Sequence, residues 1–447
     1  MNKSTAISFH VPPKMWSEFQ ESMVKSRMFN EEVIGFFFCQ RHQVSKRKIR
    51  YIPRTWVVPS SDCYEHQSAS GLVLKQPFHS YLLDNYLQSG LDVVHIHTHT
   101  GQGIPDFSYV DDRYESEYAQ FISSGFPQKP RLISGVFDED FQYCQFRMWD
   151  RKGQNVEKVQ FCNSLFEVSI NEDENNNSDL MFARQKIFGA ANQRLLNELK
   201  VALIGCGGIG SIFAELLGRL GVKNWVLIDP DKLETLNLNR MPGATQEMVE
   251  QRWHKVHYVK HLIKKIYSEG SCVKTIPTSI DSELAKQEIA TCDLIVVATD
   301  NHLSRKKTQE LALEYMRPLV CLGTHIDMKH DHTPRMYCRV TVPPVGGGWC
   351  LMCGNIISLQ RAALESAPSE IHQMAAGAGY IEGVNDPAVF WLNSICASTG
   401  VGVIHGMVSG FLNVDSGIDW VYEFPGSDWR KTNTEYLHSD GCFFCSC

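Results

Sequence analysis

Three histidines at alternate positions form the first group of residues that could do chemistry. They are His95, His97 and His99, in the apolar and β-branched run 91–99, which predicts a buried strand. Side chains at alternate positions of a strand face the same side, about 7 Å apart. Two imidazoles on one rigid face make a preorganised pair of zinc ligands, and a carboxylate after the strand can complete the site. The alternative is that these histidines are hydrogen-bonded core residues.

Residues on both sides of this strand favour a zinc hydrolase. His97-Thr-His99 is followed by Ser108-Tyr-Val-Asp111, and Glu32 stands upstream, three residues before a glycine. Three protein ligands leave the fourth zinc position to water, whose pKa the metal lowers to near neutral. Amide hydrolysis also needs a proton acceptor beside that water, and a glutamate is the usual choice.

The combination resembles the His-x-His and Ser-x-x-Asp motif of the JAB/JAMM metallopeptidases, with that family's glutamate-bearing strand. The resemblance implies a cytidine-deaminase-like α/β domain that removes ubiquitin-like proteins or trims their C-terminal tails. It implies that His97, His99 and Asp111 bind zinc. It also implies that Glu32 is the general base and acid, and that Ser108 supports the tetrahedral oxyanion.

Other registers remain open in this motif. His95 offers a competing His-x-His pair, Asp112 competes with Asp111, and Glu31 competes with Glu32. The loop before the serine is one residue longer than in the commonest form of the family.

A glycine-rich turn forms the second group. Gly205-x-Gly207-x-x-Gly210 follows the apolar run 200–204 and opens a helical stretch. Glycines let the backbone turn tightly and approach a phosphate, while the helix N-terminus supplies positive potential. Asp229 ends the next strand, where a carboxylate can hold a ribose hydroxyl. Alone, this pattern fits an NAD-dependent oxidoreductase equally well.

The residues after the turn favour ATP. Asn237 and Arg240 place an amide and a guanidinium within reach of a triphosphate, and Lys255 adds a second cation. Asp300 follows a buried strand on the side where this fold binds ligands, and it could hold Mg²⁺. Such a set stabilises charge on the phosphates while a carboxylate attacks the α-phosphorus. The alternative is a scatter of separate surface charges.

The second half of the chain resembles the ThiF/MoeB/ubiquitin-activating superfamily over about residues 180–447. The matching stretches are Arg184-Gln…Phe188-Gly, Gly205–Ser211, Ile228–Asp231, Asn237–Arg240 and Ala298–Asn301. The resemblance implies a Rossmann-like, doubly wound sheet with a structural zinc, and it implies ATP and Mg²⁺ as ligands.

The same resemblance implies individual roles. Asp229 would bind ribose, and the side chains of Arg240, Lys255 and Asp300 would handle the phosphates and Mg²⁺. Arg184 would reach the ATP of the other subunit, since these domains normally work as dimers. The residues expected to contact the nucleotide are Gly205, Gly207, Gly208, Gly210, Asp229, Asn237, Arg240, Lys255 and Asp300.

Two Cys-x-x-Cys pairs form the third group. They are Cys350 with Cys353 and Cys442 with Cys445. Four thiolates close a tetrahedral structural zinc site, which would fasten the C-terminal segment to the rest of the domain. Reduced cysteines and redox chemistry are the alternatives, but ThiF/MoeB-like proteins carry a comparable site. Cys447 is an extra thiol without an assigned role.

A thioester cysteine is not assigned. Such a thiol must be exposed and have a lowered pKa. The loop 359–380 contains no cysteine, Cys321 and Cys396 fall in predicted buried elements, and Cys338 follows a loop. We therefore expect the chain to stop at the acyl-adenylate and pass it to a separate acceptor.

The elements that position these groups divide the chain into two α/β halves. The polar, acidic stretch 169–179 predicts a linker between a domain at 1–168 and a domain at 180–447. The first half should contain a helix over 111–123 with Tyr114, Tyr118, Phe121 and Ile122 on one face. Buried strands are expected at 32–39, 91–99, 293–300 and 317–323, and further strands at 200–204 and 225–229. The runs 132–137 and 143–149 flank 138–140 and predict a hairpin.

Composition narrows the partners. The net charge of −7 argues against nucleic acid as the main partner of these 447 residues. The nearest approach to a membrane span, 394–414, is interrupted by His405 and several glycines and serines, so a buried helix is expected there. The N-terminus lacks an apolar signal core, and 15 cysteines indicate reduced thiols. We therefore expect a cytoplasmic protein.

Three functional hypotheses follow. In the first, the chain cleaves at the C-terminus of a ubiquitin-like protein with a glycine-terminated tail and activates that terminus with ATP. An E2-like partner and a bacterial modification or defence setting are expected from family analogy. In the second, the same chemistry prepares a sulfur carrier for thiocarboxylate formation in cofactor or cysteine biosynthesis. In the third, one half is a degenerate binding scaffold.

Overall fold

A computed structural model describes residues 5–27, 30–166, 180–267, 269–328, 334–367, 387–426, 428–437 and 441–445. The chain divides into two compact units, Met1–Ser164 and Leu165–Cys447. The expected linker at 169–179 lies outside the described residues.

The first unit is built on one mixed sheet and a small hairpin. Its strands are β1 (Ala6–His10), β2 (Ile34–Ser45), β3 (Lys48–Val57), β4 (Tyr64–Ser68), β5 (Gly71–Leu74), β6 (Asp92–Thr98), β7 (Leu132–Phe137), β8 (Cys144–Trp149), β9 (Val156–Lys158) and β10 (Gln160–Cys162). Its helices are α1 (Pro13–Ser26), α2 (Gln76–Asn85) and α3 (Tyr109–Gly125), with 3₁₀ turns at Ser61–Cys63 and Leu87–Ser89. The sheet order is β10-β1-β3-β2-β6-β7-β8-β9, and β4 pairs with β5.

Two apolar cores lie on opposite faces of this sheet, because alternate residues of a strand face opposite sides. On β2, Phe37 packs against Phe19 of α1 with ring centroids 4.3 Å apart. Its neighbour Phe38 stacks on Tyr86, also at 4.3 Å, in the core that α2 and α3 cover. The strand β6 is buried along its whole length, as expected for the run 91–99, and its buried residues include the polar side chains of Asp92, His95 and His97.

The apolar face predicted for α3 is partly wrong. Ile122 is buried, but Tyr114 and Phe121 are 61% and 48% exposed. The inward face instead carries Glu115, which is 3% exposed and binds Arg147. The inward face of α3 is therefore set by a buried ion pair. A prediction from hydrophobic periodicity treats Glu115 as a polar surface residue and so misplaces this face.

The second unit contains one larger sheet. Its strands are β11 (Lys200–Ile204), β12 (Asn224–Ile228), β13 (Cys272–Ile276), β14 (Leu294–Val297), β15 (Leu319–Met328), β16 (Pro334–Val342), β17 (Ile418–Phe424) and β18 (Asp428–Lys431). Its helices are α4 (Ala190–Glu198), α5 (Gly208–Leu220), α6 (Gln246–Glu250), α7 (Lys255–Ile266), α8 (Glu283–Ile289), α9 (His302–Glu314), α10 (Leu359–Glu365) and α11 (Phe390–Ser409). Its 3₁₀ helices are Leu180–Phe188, Thr235–Asn237 and Thr434–Leu437.

The strand order β13-β12-β11-β14-β15-β16-β17-β18 confirms the Rossmann-like α/β class predicted for this half. The strands from β13 to β15 are parallel, and β15 to β18 pair antiparallel. Helices cover both faces, so the central strands are apolar on both sides. The order reverses between β11 and β14, which opens a crevice at their carboxyl ends.

Helix α11 is the buried helix expected near 394–414, and ten of its residues are buried. Across the described part of the chain, none of the helices combines the length and the apolar character that a membrane span requires. Arg184 lies on the 3₁₀ helix Leu180–Phe188.

Replacing Gly210 of α5 by alanine should destabilise the second unit. An added Cβ would lie 1.9 Å from the carbonyl oxygen of Gly205, a backbone atom that cannot rotate away. Overpacking costs about 1–3 kcal/mol, so G210A should lower the midpoint of urea unfolding followed by circular dichroism. The matched control is G402A, since a Cβ on that α11 glycine meets no atom within 4 Å. An unchanged midpoint for G210A would contradict this packing.

Candidate functional site

A cavity of about 960 Å³ lies at the carboxyl ends of β11, β12 and β14. Of the residues expected to contact the nucleotide, all but Gly210 line it: Gly205, Gly207, Gly208, Asp229, Asn237, Arg240, Lys255 and Asp300. The fold therefore gathers one predicted set of residues from five separate stretches of sequence.

The three motif glycines are needed for different physical reasons. Gly205 adopts φ of +94°, and a Cβ there would lie 2.7 Å from the carbonyl oxygen of Ala298. A Cβ on Gly207 would meet no atom within 4 Å, so its open side faces the cavity. Gly210 lets α5 approach the turn and does not line the cavity, which supports a packing role. Its contact with a nucleotide stays a prediction.

Asp229 holds the turn in place. Its buried carboxylate accepts hydrogen bonds from the backbone N–H of Cys206 at 2.7 Å and of Asp231 at 2.8 Å. Burial raises the pKa of Asp229, while Lys255 and the Cys206 amide act in the opposite direction. The backbone therefore already orients this carboxylate, and its contact with ribose stays a prediction.

The two predicted cations are held near carboxylates and carbonyls of the cavity wall. Lys255 Nζ lies 2.8 Å from Asp231 Oδ2. Burial lowers the pKa of Lys255, but the charges of Asp229 and Asp231 outweigh it, and the net pKa is raised. Arg240 donates to the carbonyl oxygen of Leu236, and its side chain lines the cavity.

Asn237 has a structural partner that its motif did not indicate. Its Oδ1 accepts the backbone N–H of Glu234 at 3.0 Å and closes the 3₁₀ turn that leads to Arg240. Arg184 is exposed on its 3₁₀ helix and does not line this cavity. Its predicted contact with the ATP of a second subunit stays a prediction.

Several cavity residues were missed because they come from late, distant elements and stand in no motif. They include the cations Arg305, Lys307, Arg339 and Arg361 and the polar residues Thr324 and Asn393. Four different placements bring them to the cavity: helix α9 carries Arg305 and Lys307, and helix α10 carries Arg361. The paired strands β15 and β16 carry Thr324 and Arg339, and α11 carries Asn393. The local sequence carries no signal for that placement.

Arg339 connects this cavity with the cysteine-rich segment. Its guanidinium binds both oxygens of the buried Asp419, at 2.7 and 2.9 Å. It also donates to the carbonyl oxygen of Gly354 at 2.7 Å, one residue after Cys353. A single side chain is thus shared by the sheet, the cavity wall and the first Cys-x-x-Cys turn.

The four predicted cysteine ligands converge. The Sγ–Sγ distances are 3.7 Å from Cys350 to Cys353, 3.7 Å from Cys350 to Cys442, and 3.6 Å from Cys353 to Cys445. A tetrahedron with Zn–S bonds of about 2.3 Å has edges of about 3.8 Å. The sulfur atoms therefore fit a structural zinc ion.

The three cysteines considered for a thioester are unsuited to that role. Cys321, Cys338 and Cys396 are all buried. A hydrogen bond with Cys338, together with burial, raises the pKa of Cys396, and burial raises that of Cys321. Reactive thiols need exposure and a lowered pKa.

In the first unit, the predicted zinc ligands also converge. His97 Nε2 lies 3.2 Å from His99 Nε2, and each of these nitrogens lies 3.4 Å from an oxygen of Asp111. Bonds of about 2.0–2.1 Å in a tetrahedral site give edges of about 3.3–3.4 Å. The three side chains therefore have the spacing of zinc ligands.

A capping box sets the third ligand. Ser108 precedes α3, and its Oγ accepts the backbone N–H of Asp111 at 3.2 Å. In return, the Asp111 carboxylate accepts the backbone N–H of Ser108 at 2.6 Å. Burial raises the pKa of Asp111, but hydrogen bonds from His97 and His99 outweigh it and hold the pKa well below its usual range.

Glu32 lies beside these ligands, although the strand expected to carry it begins two residues later. β2 pairs antiparallel with β6, and Ile34 faces His97 in the register. Burial raises the pKa of Glu32, with opposing influence from His99. The glycine three residues after Glu32 is required by packing, because a Cβ on Gly35 would lie 2.6 Å from the Phe19 ring.

The competing register is occupied by a salt-bridge network. His95 Nε2 lies 3.1 Å from Glu115, whose other oxygen accepts from Arg147 at 2.6 and 2.9 Å and from Trp149 at 2.9 Å. Arg147 also binds Asp112 at 2.6 Å. Asp112, the carboxylate that competes with Asp111, is therefore already paired with a guanidinium, and so is Glu115 beside His95.

The metal content of the full chain should be two zinc ions, one for each cluster. C442S should lose one of them because it removes a sulfur ligand. The double variant H97A/H99A should lose only the other. Inductively coupled plasma mass spectrometry measures the number of zinc ions per chain. The control is C272S, which changes an exposed cysteine outside both clusters. A wild-type ratio below two, or two zinc ions retained in C442S, would contradict the assignment.

Comparison with known proteins bears on the second unit. Residues 181–381 match the model of the ThiF family. The chain is 27% identical over 184 residues to a sulfur carrier protein ThiS adenylyltransferase of Bacillus subtilis (strain 168), which covers 39% of this chain and 54% of that protein. It is 33% identical over 94 residues to ubiquitin-like modifier-activating enzyme 5 of Mus musculus, covering 21% of this chain and 22% of that protein.

Among solved structures, a crystal structure of Escherichia coli MccB with ATP gives a TM-score of 0.46 at 18% identity, covering 62% of this chain and 76% of that one. The chain spans about half the length of the first curated relative it matches. Residues 181–381 are a ThiF/MoeB-like domain. This match favours the ThiF-like interpretation of the glycine turn over the NAD-dependent oxidoreductase alternative.

Proposed function

We propose that the second unit adenylates the C-terminal carboxylate of a ubiquitin-like or sulfur-carrier protein. The observation that carries the proposal is the cavity in the ThiF-family domain, where a glycine turn faces Arg240, Lys255 and Asp300. The names of relatives give support, because one acts on the sulfur carrier ThiS and another activates a ubiquitin-like modifier.

In this reaction, a carboxylate oxygen of the tail forms a bond to the α-phosphorus of ATP. The bond from that phosphorus to the bridging oxygen breaks, and pyrophosphate leaves with the electron pair. Arg240 and Lys255 would offset the charge that accumulates on the phosphate oxygens. Asp300, exposed beyond the carboxyl end of β14, would hold Mg²⁺, which supplies further positive charge there.

Two substrate classes remain as alternatives, and the product distinguishes them. The burial of Cys321, Cys338 and Cys396 supports a reaction that ends at the acyl-adenylate. A thiocarboxylate on the tail, found by mass spectrometry, would favour a sulfur carrier. A lysine-linked adduct would favour protein modification with an E2-like partner.

We propose a homodimer for this unit. Leu180 and Ile187 are 87% and 86% exposed on the 3₁₀ helix that carries Arg184, and Phe188 and Phe411 add exposed rings nearby. Exposed apolar clusters of this kind commonly mark protein interfaces. Light scattering of the full chain gives the mass that tests the proposal.

Exchange of pyrophosphate into ATP should depend on a protein with a glycine-terminated tail, and on the cavity cations. R240A and K255A should lower the exchange rate by about tenfold or more, because each removes a charge facing the phosphates. K274A is the control, since Lys274 pairs with Glu288 on the surface and does not line the cavity.

The choice of protein substrate makes this assay decisive. A panel of ubiquitin-like and sulfur-carrier proteins encoded beside the chain's gene should include one that supports exchange, and removing its terminal glycine should abolish the signal. Exchange with none of them, or equal rates in R240A and wild type, would argue against adenylation.

We also propose that the first unit is a zinc hydrolase that cleaves after such a tail, as a JAB/JAMM-like domain. The spacing of His97, His99 and Asp111, with Glu32 beside them, supports this second activity. A zinc ion held by these ligands would supply a Lewis acid for the scissile carbonyl and for water. Cleavage would expose the carboxylate that the second unit uses.

Two residues of the chain would carry the other steps of the hydrolysis, namely proton transfer and stabilisation of the oxyanion. A carboxylate oxygen of Glu32 would accept a proton from water and return it to the leaving amine. Ser108 Oγ already accepts the Asp111 amide, which leaves its hydroxyl proton free to donate to an oxyanion.

E32Q should abolish cleavage of a peptide or isopeptide after the tail while leaving the zinc content unchanged. The amide cannot accept the proton, and Glu32 is not among the three grouped ligands. We expect a loss of at least about 100-fold in rate. E31Q, one residue away, is the matched control. Equal losses in both variants, or full activity in E32Q, would refute the role of Glu32.

A further inference from the structure

Asn393 is a polar residue in an apolar setting. It stands in the first turn of α11, between Leu392 and the buried positions Cys396 and Ala397, and its own exposure is 2%. A buried amide without its hydrogen bonds is unfavourable, so each of its polar groups calls for a partner. The motifs of the nucleotide site do not include this residue.

Among the residues that the structure describes, a partner is found for one end of the amide. The hydroxyl of Thr324, on β15, donates to Asn393 Oδ1 at 3.0 Å. Asn393 Nδ2 lies 2.6 Å from the position a Cβ would take on Gly208. Within the described portion of the chain, Nδ2 donates to no acceptor, while Asn393 lines the cavity.

This geometry fixes the direction of the amide. Because Thr324 holds the oxygen, the nitrogen faces the first residue of α5 and the open space beside the turn. Two N–H groups there add to the positive potential of a 13-residue helix at its N-terminus. The ligand that satisfies them must therefore offer oxygen acceptors, and negative charge favours it.

We propose that Asn393 donates from Nδ2 to a phosphate oxygen of the nucleotide bound at the glycine turn. This inference rests on the proposed adenylation and adds a binding residue to it. Thr324, which also lines the cavity, is then a positioning residue, because its hydroxyl proton is donated to Asn393 Oδ1 and orients the amide.

Calorimetric titration of the full chain with ATP and with adenosine tests the proposal. N393A should bind ATP about tenfold to a hundredfold more weakly, because a hydrogen bond to a charged group is lost. Its affinity for adenosine, which has no phosphate, should match that of wild type. T324V should show a smaller loss in the same direction, since it keeps the amide but frees it to rotate.

The matched control is N192A, which changes a buried asparagine that binds Ser409 and does not line the cavity. N393A that is folded and binds ATP like wild type, or that loses ATP and adenosine affinity equally, would overturn the proposal. If N393A does not fold, T324V decides: unchanged ATP affinity overturns the role of the amide. Wild type that binds no ATP would instead overturn the proposed adenylation itself.

Discussion

The hydrogen bond from the Cys206 amide to the buried carboxylate of Asp229 is the interaction on which the second unit's site depends. It joins the end of β11 to the end of β12 where the chain must reverse into α5. With that bond in place, Gly205 takes a left-handed φ, and the Cα of Gly210 packs closely against the carbonyl oxygen of Gly205. The first turn of α5 then faces the crevice between β11 and β14, and the cations of later elements surround it.

In the first unit, a carboxylate of the candidate site is likewise oriented by a backbone N–H group. Asp111 is held by the amide of Ser108, so its oxygens already meet His97 and His99 at the end of β6. On the same helix, one turn later, Glu115 faces inward and is held by Arg147. The carboxylates on these neighbouring turns thus differ in their partners: Asp111 meets two imidazoles, whereas Glu115 meets one imidazole and the guanidinium of Arg147.

Short-range patterns predicted much of this arrangement, and contacts between distant elements account for the rest. The strand with alternating histidines and the glycine turn were predictable, because each follows from spacing within about ten residues. The exposure of Tyr114 and Phe121 was not, because the buried ion pair of Glu115 sets the helix face. The contribution of Asn393 to the site was also not predictable, because the packing of the distant helix α11 brings it to the glycine turn.

The paired cysteines have a consequence for the unfolded chain. Cys350 and Cys442 are 92 residues apart, and the segment between them includes α10, α11, β17 and β18. A metal ion bound across the two pairs would tie this segment into a ring and reduce the conformational entropy of the unfolded chain. If the ion acted like a covalent link, the corresponding free energy would be on the order of 4–5 kcal/mol. The helix that carries Asn393 lies within that ring, so a bound ion would limit how far this helix can move from the Cys350 turn in the unfolded chain.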